Sequence, residues 1–296
     1  MIRNLLRSAT AANLALTALA ALTACSSPSS PSPAKSVATS YYLALGDSLS
    51  QGVQPNAAGT SVETAQGYPN LVYAQLARDH PALKLVQLGC LGETTASMIN
   101  GGICDYSGGS QLAAADAFLR AHSGHVLLVT IDIGANDPEA CGSQPSLTDI
   151  ATCIGEIPGA ASRLGTILAS LRAAGPGVPI VGMSYYLPAL AEWRNGILGQ
   201  LVARASERLA VIFKNSLSQA YSQDDVKVAD VFGAFDTTDF GDSVTVPGIG
   251  SVPRNVARIC EWTWECTPPP RGPNQHANPT GYQVIASAVL QASSLA

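Results

Sequence analysis

The sequence predicts one α/β domain in which a mostly parallel sheet of about five strands lies between two layers of helices. Short apolar runs bounded by turn residues alternate with helical segments along the chain. The chain has 296 residues, of which 47% are hydrophobic and 12% charged, as is typical of a globular protein with a full core. Because helices between parallel strands cover both faces of the sheet, this alternation predicts an α/β/α sandwich.

The apolar runs have the lengths and flanking residues of buried strands. The five predicted strands span residues 41–45, 84–88, 126–133, 178–183 and 226–231. The predicted helices span residues 68–78, 111–122, 157–173 and 192–221, and a last helix begins near Pro279 and runs to the C-terminus. This order corresponds to a flavodoxin-like sheet. Ligands bind such sheets outside the carboxyl ends of the strands, so we expect functional residues in the loops there.

The N-terminus has the pattern of an export signal. Arg3 and Arg7 precede an apolar stretch that is too short to span a bilayer comfortably. We expect a signal peptide over residues 1–24, a tether over residues 25–40 and a single domain over residues 41–296. The tether is rich in Ser, Pro and Ala, and such a segment cannot bury enough apolar surface to fold.

The end of the signal, Leu22-Thr23-Ala24-Cys25, resembles a bacterial lipobox. The resemblance implies that Cys25 becomes the lipidated first residue of the mature protein. Ordinary secretion, with Cys25 removed or free, is the alternative. A diacylglycerol together with an amide-linked acyl chain would anchor the protein stably, whereas one chain binds only marginally. In either case we expect an extracellular protein, secreted or anchored at the outer face of the cell membrane.

Six cysteines remain after Cys25, an even number that predicts three disulfides in an exported domain. Pairing between sequence neighbours is the simplest choice, and each such bond would contribute about 2–3 kcal/mol through the unfolded state. A metal site is the alternative, but no CxxC pair or His-rich spacing supports it. The predicted pairs are Cys90–Cys104, Cys141–Cys153 and Cys260–Cys266.

Charge and motifs exclude several classes of partner. The net charge is −5 and no long basic run is present, which argues against a nucleic-acid partner. The sequence has neither a P-loop nor a dinucleotide-type glycine fingerprint, so we expect no cofactor. We assume a monomer.

Ser48 directly follows the first predicted strand, in the tripeptide Gly46-Asp47-Ser48. A serine at such a turn has an exposed hydroxyl and a free N–H, as a nucleophile requires. The alternative is a helix N-cap, a role that serine favours. The same tripeptide recurs at residues 241–243 in a polar stretch without a preceding strand, and we expect that copy to be an unrelated loop.

Two further segments follow the second and third strands. Gly92 lies in Gly89-Cys90-Leu91-Gly92 and could offer its N–H to an oxyanion, although a plain glycine turn is the alternative. Asn136 could donate from its side-chain amide to the same oxyanion, although asparagine is also common as a cap or turn residue. Asp132 lies inside an apolar run and would need a buried partner if it faced inward.

His276 is the candidate base. It lies in a loop bounded by proline and glycine just before the last helix, where functional residues concentrate. The other three histidines, at positions 80, 122 and 125, have the sequence context of solvated or capping residues.

These four segments, in this order, resemble the SGNH family of GDSL esterases and lipases from about Tyr41 to the end of the chain. Ser48, Gly92, Asn136 and His276 occupy the positions that give the family its letters. The resemblance is strongest to secreted actinobacterial members, particularly around residues 89–95 and 260–266, and such relatives carry three neighbour-paired disulfides. It implies cleavage of carboxylic esters by Ser48 with His276 as base, and an oxyanion hole of Ser48, Gly92 and Asn136.

The sequence departs from the family where many members place an Asp three residues before the His. That position is Pro273, and Asn274 follows it, so no carboxylate is available there. We expect the Pro273 carbonyl to accept the second ring N–H, which would make the site a Ser–His dyad. The alternative is a distant carboxylate, Asp236 or Asp239.

The sequence leaves the substrate open among small-molecule and lipid esters. Tyr185, Tyr186, Trp193 and residues 262–264 could line an acyl or alcohol pocket, although core packing is the simpler role. No long apolar lid is present, which favours a carboxylesterase over a lipase with interfacial activation. A carbohydrate deacetylase is a further option. The alternative from another class is a non-catalytic lipoprotein that binds glycans or lipids in the same pocket.

Overall fold

The central feature of the fold is a five-stranded, fully parallel sheet. The computed structural model describes residues 38–137 and 147–295, without the side chains of residues 147–154. Its strands are β1 (Ser40–Gly46), β4 (Leu83–Gln87), β5 (Val126–Asp132), β6 (Ile180–Met183) and β7 (Lys227–Ala229). Their order across the sheet is β4-β1-β5-β6-β7. All five predicted strands are present within a few residues of their predicted bounds, and the predicted fold class is confirmed.

Helices cover both faces of the sheet. Their bounds are α1 (Tyr68–Leu76), α2 (Thr95–Asn100), α3 (Gln111–Ala121), α4 (Leu147–Ala174), α5 (Gly196–Gln223), α6 (Val231–Ala234), α7 (Arg254–Trp262) and α8 (Pro279–Ser293). Helix α4 begins earlier than predicted and continues through Pro158. The predicted helix over residues 192–221 is instead a 3₁₀ helix, Pro188–Arg194, followed by α5, and the two are separated where Gly196 takes a φ of +73°.

The alternation of side chains along β1 divides the core into two layers. Tyr42 and Ala44 pack with the apolar faces of α1 and α8. Leu43 and Leu45 pack on the opposite face with α3, α4 and α5. Both layers are almost free of charge, and the buried carboxyls Asp47 and Asp132 lie at the carboxyl ends of β1 and β5.

Two small antiparallel hairpins and several short helices were not predicted. The first hairpin pairs β2 (Gln54–Pro55) with β3 (Ser61–Val62), and the second pairs β8 (Ser243–Val246) with β9 (Gly250–Pro253). The second Gly-Asp-Ser copy ends in this second hairpin, where Ser243 begins β8 and Asp242 forms a 2.5 Å ion pair with Arg254. As expected, that copy is not at the carboxyl end of a parallel strand.

Two of the three predicted disulfides lie in the described residues and are formed. Cys90 pairs with Cys104, and Cys260 pairs with Cys266. The third predicted pair, Cys141–Cys153, lies outside the residues whose side chains are described. The signal peptide, Cys25 and most of the tether also lie outside them, and the tether's predicted last residue, Ser40, is already the first residue of β1. In the described ranges no helix combines the length and apolar character needed to cross a membrane.

Candidate active site

Ser48 lies in a tight turn at the carboxyl end of β1. Its carbonyl accepts from the N–H groups of Gln51 and Val53, at 3.2 and 3.1 Å. The first helix begins only at Tyr68, so Ser48 is not a helix N-cap. Gly46 allows the turn because its φ is +130° and a Cβ there would lie 2.1 Å from the Asp132 carbonyl oxygen. Ser48 is 8% exposed, and its side chain makes no hydrogen bond within the described residues.

A buried pair of carboxyls lies beside this turn. Asp132 Oδ2 accepts from the backbone N–H groups of Asp47 and Ser50 at 3.3 and 3.1 Å, and Asp132 Oδ1 accepts from the Tyr68 hydroxyl at 2.5 Å. Asp47 Oδ2 accepts from the Tyr185 hydroxyl at 3.0 Å. Asp132 therefore has the buried partners that its place in an apolar run requires.

Burial raises the pKa of both carboxyls. The pKa of Asp47 rises to about 6, and that of Asp132 rises well above its ordinary value, with the Asp47 charge adding to the effect of burial. Burial therefore favours the protonated form of both carboxyls, and most strongly that of Asp132.

Gln111, at the start of α3, clamps the end of β1. Its Oε1 accepts from the Gly46 N–H at 2.7 Å and its Nε2 donates to the Gly46 carbonyl at 2.9 Å. The same Nε2 lies 3.1 Å from Glu93 Oε2, so this fully buried amide joins the serine turn to the loop after β4. Nothing in the local sequence pattern distinguishes Gln111 from a surface residue of α3, so the sequence alone does not predict this role.

Gly92 and Asn136 lie next to each other in space. Asn136 Nδ2 donates to the Glu93 carbonyl at 2.9 Å, directly beside Gly92. Gly92 takes a φ of +83°, which favours glycine, and nothing lies within 4 Å of where a Cβ would be. The two loops are fixed further by Asp137, which accepts from the Thr95 N–H at 2.8 Å and forms a 2.9 Å ion pair with Arg163.

Three donors at this edge of the sheet have no acceptor within the described residues. They are the N–H of Ser48, the N–H of Gly92 and the second amide hydrogen of Asn136. This is the donor set that the sequence resemblance implies for an oxyanion hole.

The orientation of His276 is set by Asn274. His276 Nδ1 lies 2.8 Å from Asn274 Oδ1, and the His276 backbone N–H donates to the same oxygen at 3.1 Å. Because a backbone N–H can only donate, the shared atom must be the amide oxygen and not the nitrogen. The Asn274 amide nitrogen donates to Ser61 Oγ in β3 at 3.0 Å.

The expectation that the Pro273 carbonyl orients His276 is therefore wrong, because the Asn274 side chain turns back onto the ring. The distant carboxylates are also excluded: Asp236 pairs with Arg258 at 3.1 Å, and Asp239 pairs with Arg254 at 2.9 Å. The sequence signal for this role is Asn274 itself, an amide two residues before His276.

The His276 loop is attached to the segment that follows Ser48. Trp264 donates its backbone N–H to the His276 carbonyl at 3.0 Å and its indole Nε1–H to Gln54 Oε1 at 3.3 Å. The Tyr282 hydroxyl donates to the Val53 carbonyl at 2.9 Å. The hydrogen bonds of the described residues do not include one between Ser48 and His276, and the link between their segments is made by these contacts of Trp264 and Tyr282.

Burial lowers the pKa of His276 to about 4, because a buried site disfavours the charged imidazolium. Asn274 is neutral and does not offset this effect. The imidazole is therefore neutral at ordinary pH. Its Nδ1 carries the proton, since Asn274 Oδ1 can only accept, which leaves Nε2 unprotonated.

The aromatic residues considered for a substrate pocket mostly have structural contacts. The Tyr186 hydroxyl donates to the Gln275 carbonyl at 2.9 Å, and its ring stacks on Phe235. Trp193 packs near Phe240 with Arg204 over its ring, and Trp262 meets Phe235 edge-on.

Comparison with known proteins agrees with this architecture. Residues 44–284 match the model of the GDSL-like lipase/acylhydrolase family. The chain belongs to this family. No curated protein matches the chain significantly. Among solved structures, an extracellular lipase from Streptomyces rimosus is 18% identical, with a TM-score of 0.59 over 86% of this chain and 100% of that one.

Two other solved structures share the fold at similar distance. A phospholipase A1 from Streptomyces albidoflavus is 19% identical, with a TM-score of 0.52 over 86% of this chain and 100% of that chain. A variant of an acetyl xylan esterase from Geobacillus stearothermophilus is 14% identical, with a TM-score of 0.52 over 86% and 95% of the two chains. At these identities the likeness establishes the fold, and the family match establishes a GDSL-type hydrolase.

Proposed function

We propose that the protein hydrolyses carboxylic esters, with Ser48 as nucleophile and His276 as base. One observation carries the proposal: the Asn274 amide oxygen holds Nδ1–H of a buried, neutral His276, which leaves Nε2 free to accept a proton. A serine hydroxyl is a poor nucleophile at neutral pH and needs such a base. Family membership supports the same chemistry.

The reaction proceeds in two halves. Ser48 Oγ attacks the ester carbonyl carbon while its proton moves to His276 Nε2, and the carbonyl oxygen becomes an oxyanion. The N–H groups of Ser48 and Gly92 and the Asn136 amide donate to this oxyanion. His276 then gives the proton to the leaving alcohol, and water, activated by the same imidazole, hydrolyses the acyl-enzyme.

The protein is proposed to act outside the cell. Disulfides persist in oxidising compartments, and two are formed in the described residues. Anchoring through Cys25 is a separate proposal that rests on the sequence. In a bacterial host that exports the protein, Cys25→Ser should move the protein from the membrane fraction to the medium. Equal partition of both forms would favour ordinary secretion.

Labelling with a fluorophosphonate probe tests the catalytic proposal directly, because the probe reacts only with an activated serine. We expect labelling of the wild type, none of Ser48→Ala, and strongly slowed labelling of His276→Ala. Ser243→Ala, in the second Gly-Asp-Ser copy, is the matched control and should label like the wild type. Absence of labelling in folded wild type would favour a non-catalytic glycan- or lipid-binding protein instead.

A further inference from the structure

A cleft of about 760 Å³ adjoins the loop that carries His276. The end of the 3₁₀ helix, the turn between β8 and β9, and the loop closed by the Cys260–Cys266 disulfide form its walls. Ser48, Gly92 and Asn136 are not among its lining residues, so the cleft is distinct from the oxyanion hole.

Glu265 is the unusual residue of this cleft. It lines the cavity but is only 7% exposed, and its side chain makes no hydrogen bond with any described residue. Its Oε2 is fully enclosed and has no partner in the part of the chain that the structure describes. Buried carboxyls are normally paired or hydrogen-bonded, so an unpartnered one lining a cleft points to a ligand that donates to it.

The charges around Glu265 narrow the class of ligand. Glu192 and Arg194, at the end of the 3₁₀ helix, also line the cleft, and Asn195 Nδ2 donates to Glu192 Oε2 at 2.8 Å. Two carboxyls oppose an anionic ligand, and the Arg194 guanidinium opposes a cationic one. An uncharged hydroxyl suits both, since it donates to a carboxylate and accepts from a guanidinium.

The ionisation of Glu265 is consistent with such a partner. Burial, reinforced by the nearby Glu192 and opposed by Arg194, raises the pKa of this carboxyl to about 7. Near neutral pH it is present in both forms, and it can accept from one hydroxyl or donate to another.

Both chain segments that position His276 also contribute to the cleft. Glu265 follows Trp264, whose N–H donates to the His276 carbonyl at 3.0 Å. Pro273 lines the cleft and precedes Asn274, whose Oδ1 binds His276 Nδ1. In each segment, a residue that lines the cleft is therefore the sequence neighbour of a residue that contacts the proposed base.

We propose that this cleft binds the hydroxyl-rich, uncharged alcohol portion of the ester, a polyol or carbohydrate, with Glu265 as its central hydrogen-bonding group. The proposal rests on the proposed esterase function for its role in turnover. The binding itself does not depend on that function, and it can be measured on an inactive protein.

Binding is tested first on Ser48→Ala by titrating xylotriose and, as a cationic probe without hydroxyls, n-butylamine. We expect xylotriose to bind and n-butylamine not to bind. Adding Glu265→Leu should weaken xylotriose binding on the order of tenfold, the loss of one hydrogen bond to a charged group. Adding Glu156→Gln, an exposed residue of α4, is the matched control and should change nothing. Preferential binding of n-butylamine, or xylotriose binding that Glu265→Leu leaves intact, would overturn the proposal.

Turnover gives the second readout. In Glu265→Leu, the ratio of KM for acetylated xylotriose to KM for p-nitrophenyl acetate should be on the order of tenfold higher than in the wild type. In Glu265→Gln, which keeps a hydrogen-bonding group, this ratio should return most of the way to the wild-type value. An unchanged ratio in a variant with normal thermal unfolding contradicts the proposal. If the wild type hydrolyses neither ester, the esterase proposal fails, and the titrations still decide whether the cleft binds polyols.

Discussion

Asn274 takes the place, next to His276, that a carboxylate occupies in many GDSL enzymes, but it supplies no charge. Its Oδ1 lies 2.8 Å from His276 Nδ1 and accepts a hydrogen bond from it, which fixes the tautomer and the plane of the ring. A neutral amide stabilises the imidazolium less than a carboxylate would. The effect of burial on the pKa of His276 therefore remains largely unopposed, and the pKa falls to about 4.

Asn274→Asp should raise the pKa of His276 by restoring an opposite charge at Nδ1. The acid limb of the kcat/KM profile, expected near pH 4 in the wild type, should move upward by about 1–3 pH units. Asn274→Ala should instead lower kcat, by less than the roughly 10²–10⁴-fold that general-base catalysis contributes. The measurement is the pH dependence of p-nitrophenyl acetate hydrolysis, and an unmoved acid limb in Asn274→Asp would show that this side chain does not act through the imidazole.

Asn136 should contribute mainly to the transition state. Asn136→Ala removes one of three proposed oxyanion donors and should lower kcat about 10²–10³-fold with little change in KM. The same amide also binds the Glu93 carbonyl at 2.9 Å, so thermal unfolding of the variant must be measured alongside. A rise in KM at constant kcat would assign Asn136 to ground-state binding instead.

At the scale of single residues, motifs predicted the four SGNH positions but not the residues whose hydrogen bonds hold the site in place. Gln111 clamps Gly46 from 65 residues away, and Asn274 binds Ser61 across 213 residues. Such contacts depend on how distant loops meet, and one sequence carries no local pattern for them. The sequence predicted the Pro273 carbonyl or a distant Asp as the partner of His276, because it does not show that the Asn274 side chain turns back onto the ring.

Among the elements, the long apolar strands were predictable and the short hairpins were not. Strand β5, for example, is almost entirely buried and reads as a continuous apolar run. The pairing of β2 with β3 involves only two residues on each strand, too few for a period-two pattern to show. That hairpin nevertheless matters for the site, since it supplies the Ser61 hydroxyl that binds Asn274.

The Cys90–Cys104 disulfide fixes the loop that presents Gly92. It closes a 14-residue separation, so replacing both cysteines by Ala should lower the free energy of unfolding by about 3 kcal/mol. It should also lower kcat, because the Gly92 N–H loses its fixed position. Urea unfolding and ester hydrolysis measure the two effects. The Cys260–Cys266 pair has a separation of only 6, so its removal should cost less stability. An unchanged kcat in a folded variant that lacks Cys90 and Cys104 would contradict this assignment.

For the whole molecule, the parallel sheet explains why distant segments form one site. Successive strands run in the same direction, so the loops that follow β1, β4 and β5 meet at one edge, and they carry Ser48, Gly92 and Asn136. This arrangement was predictable from the alternation of strands and helices alone. His276 reaches the same region through side-chain and backbone contacts of Trp264 and Tyr282, which the alternation does not encode.

Buried ionisable groups should also make the stability of the whole domain depend on pH. The contributions of Asp47 and His276 have opposite signs. The pKa of Asp47 is raised from 3.8 to about 6 on folding, so its contribution to stability is present at low pH and is lost as the pH rises through about 6. The pKa of His276 is lowered from 6.5 to about 4, so its contribution is present above pH 6.5 and is lost as the pH falls toward 4. The two effects oppose each other between pH 4 and 6.5, and a variant is needed to separate them.

Asp132→Asn isolates the carboxyl pair. The new amide cannot ionise, so the variant should lose the decline in stability that the raised pKa of Asp132 causes in the wild type as the pH rises above the ordinary carboxyl range. The free energy of unfolding of the variant minus that of the wild type should therefore increase from pH 4 to pH 8, while the His276 contribution is the same in both proteins and cancels in the difference. Urea unfolding at pH 4, 6 and 8 gives that difference. Parallel pH curves for the two proteins would mean that the pKa of Asp132 is not raised in the folded state.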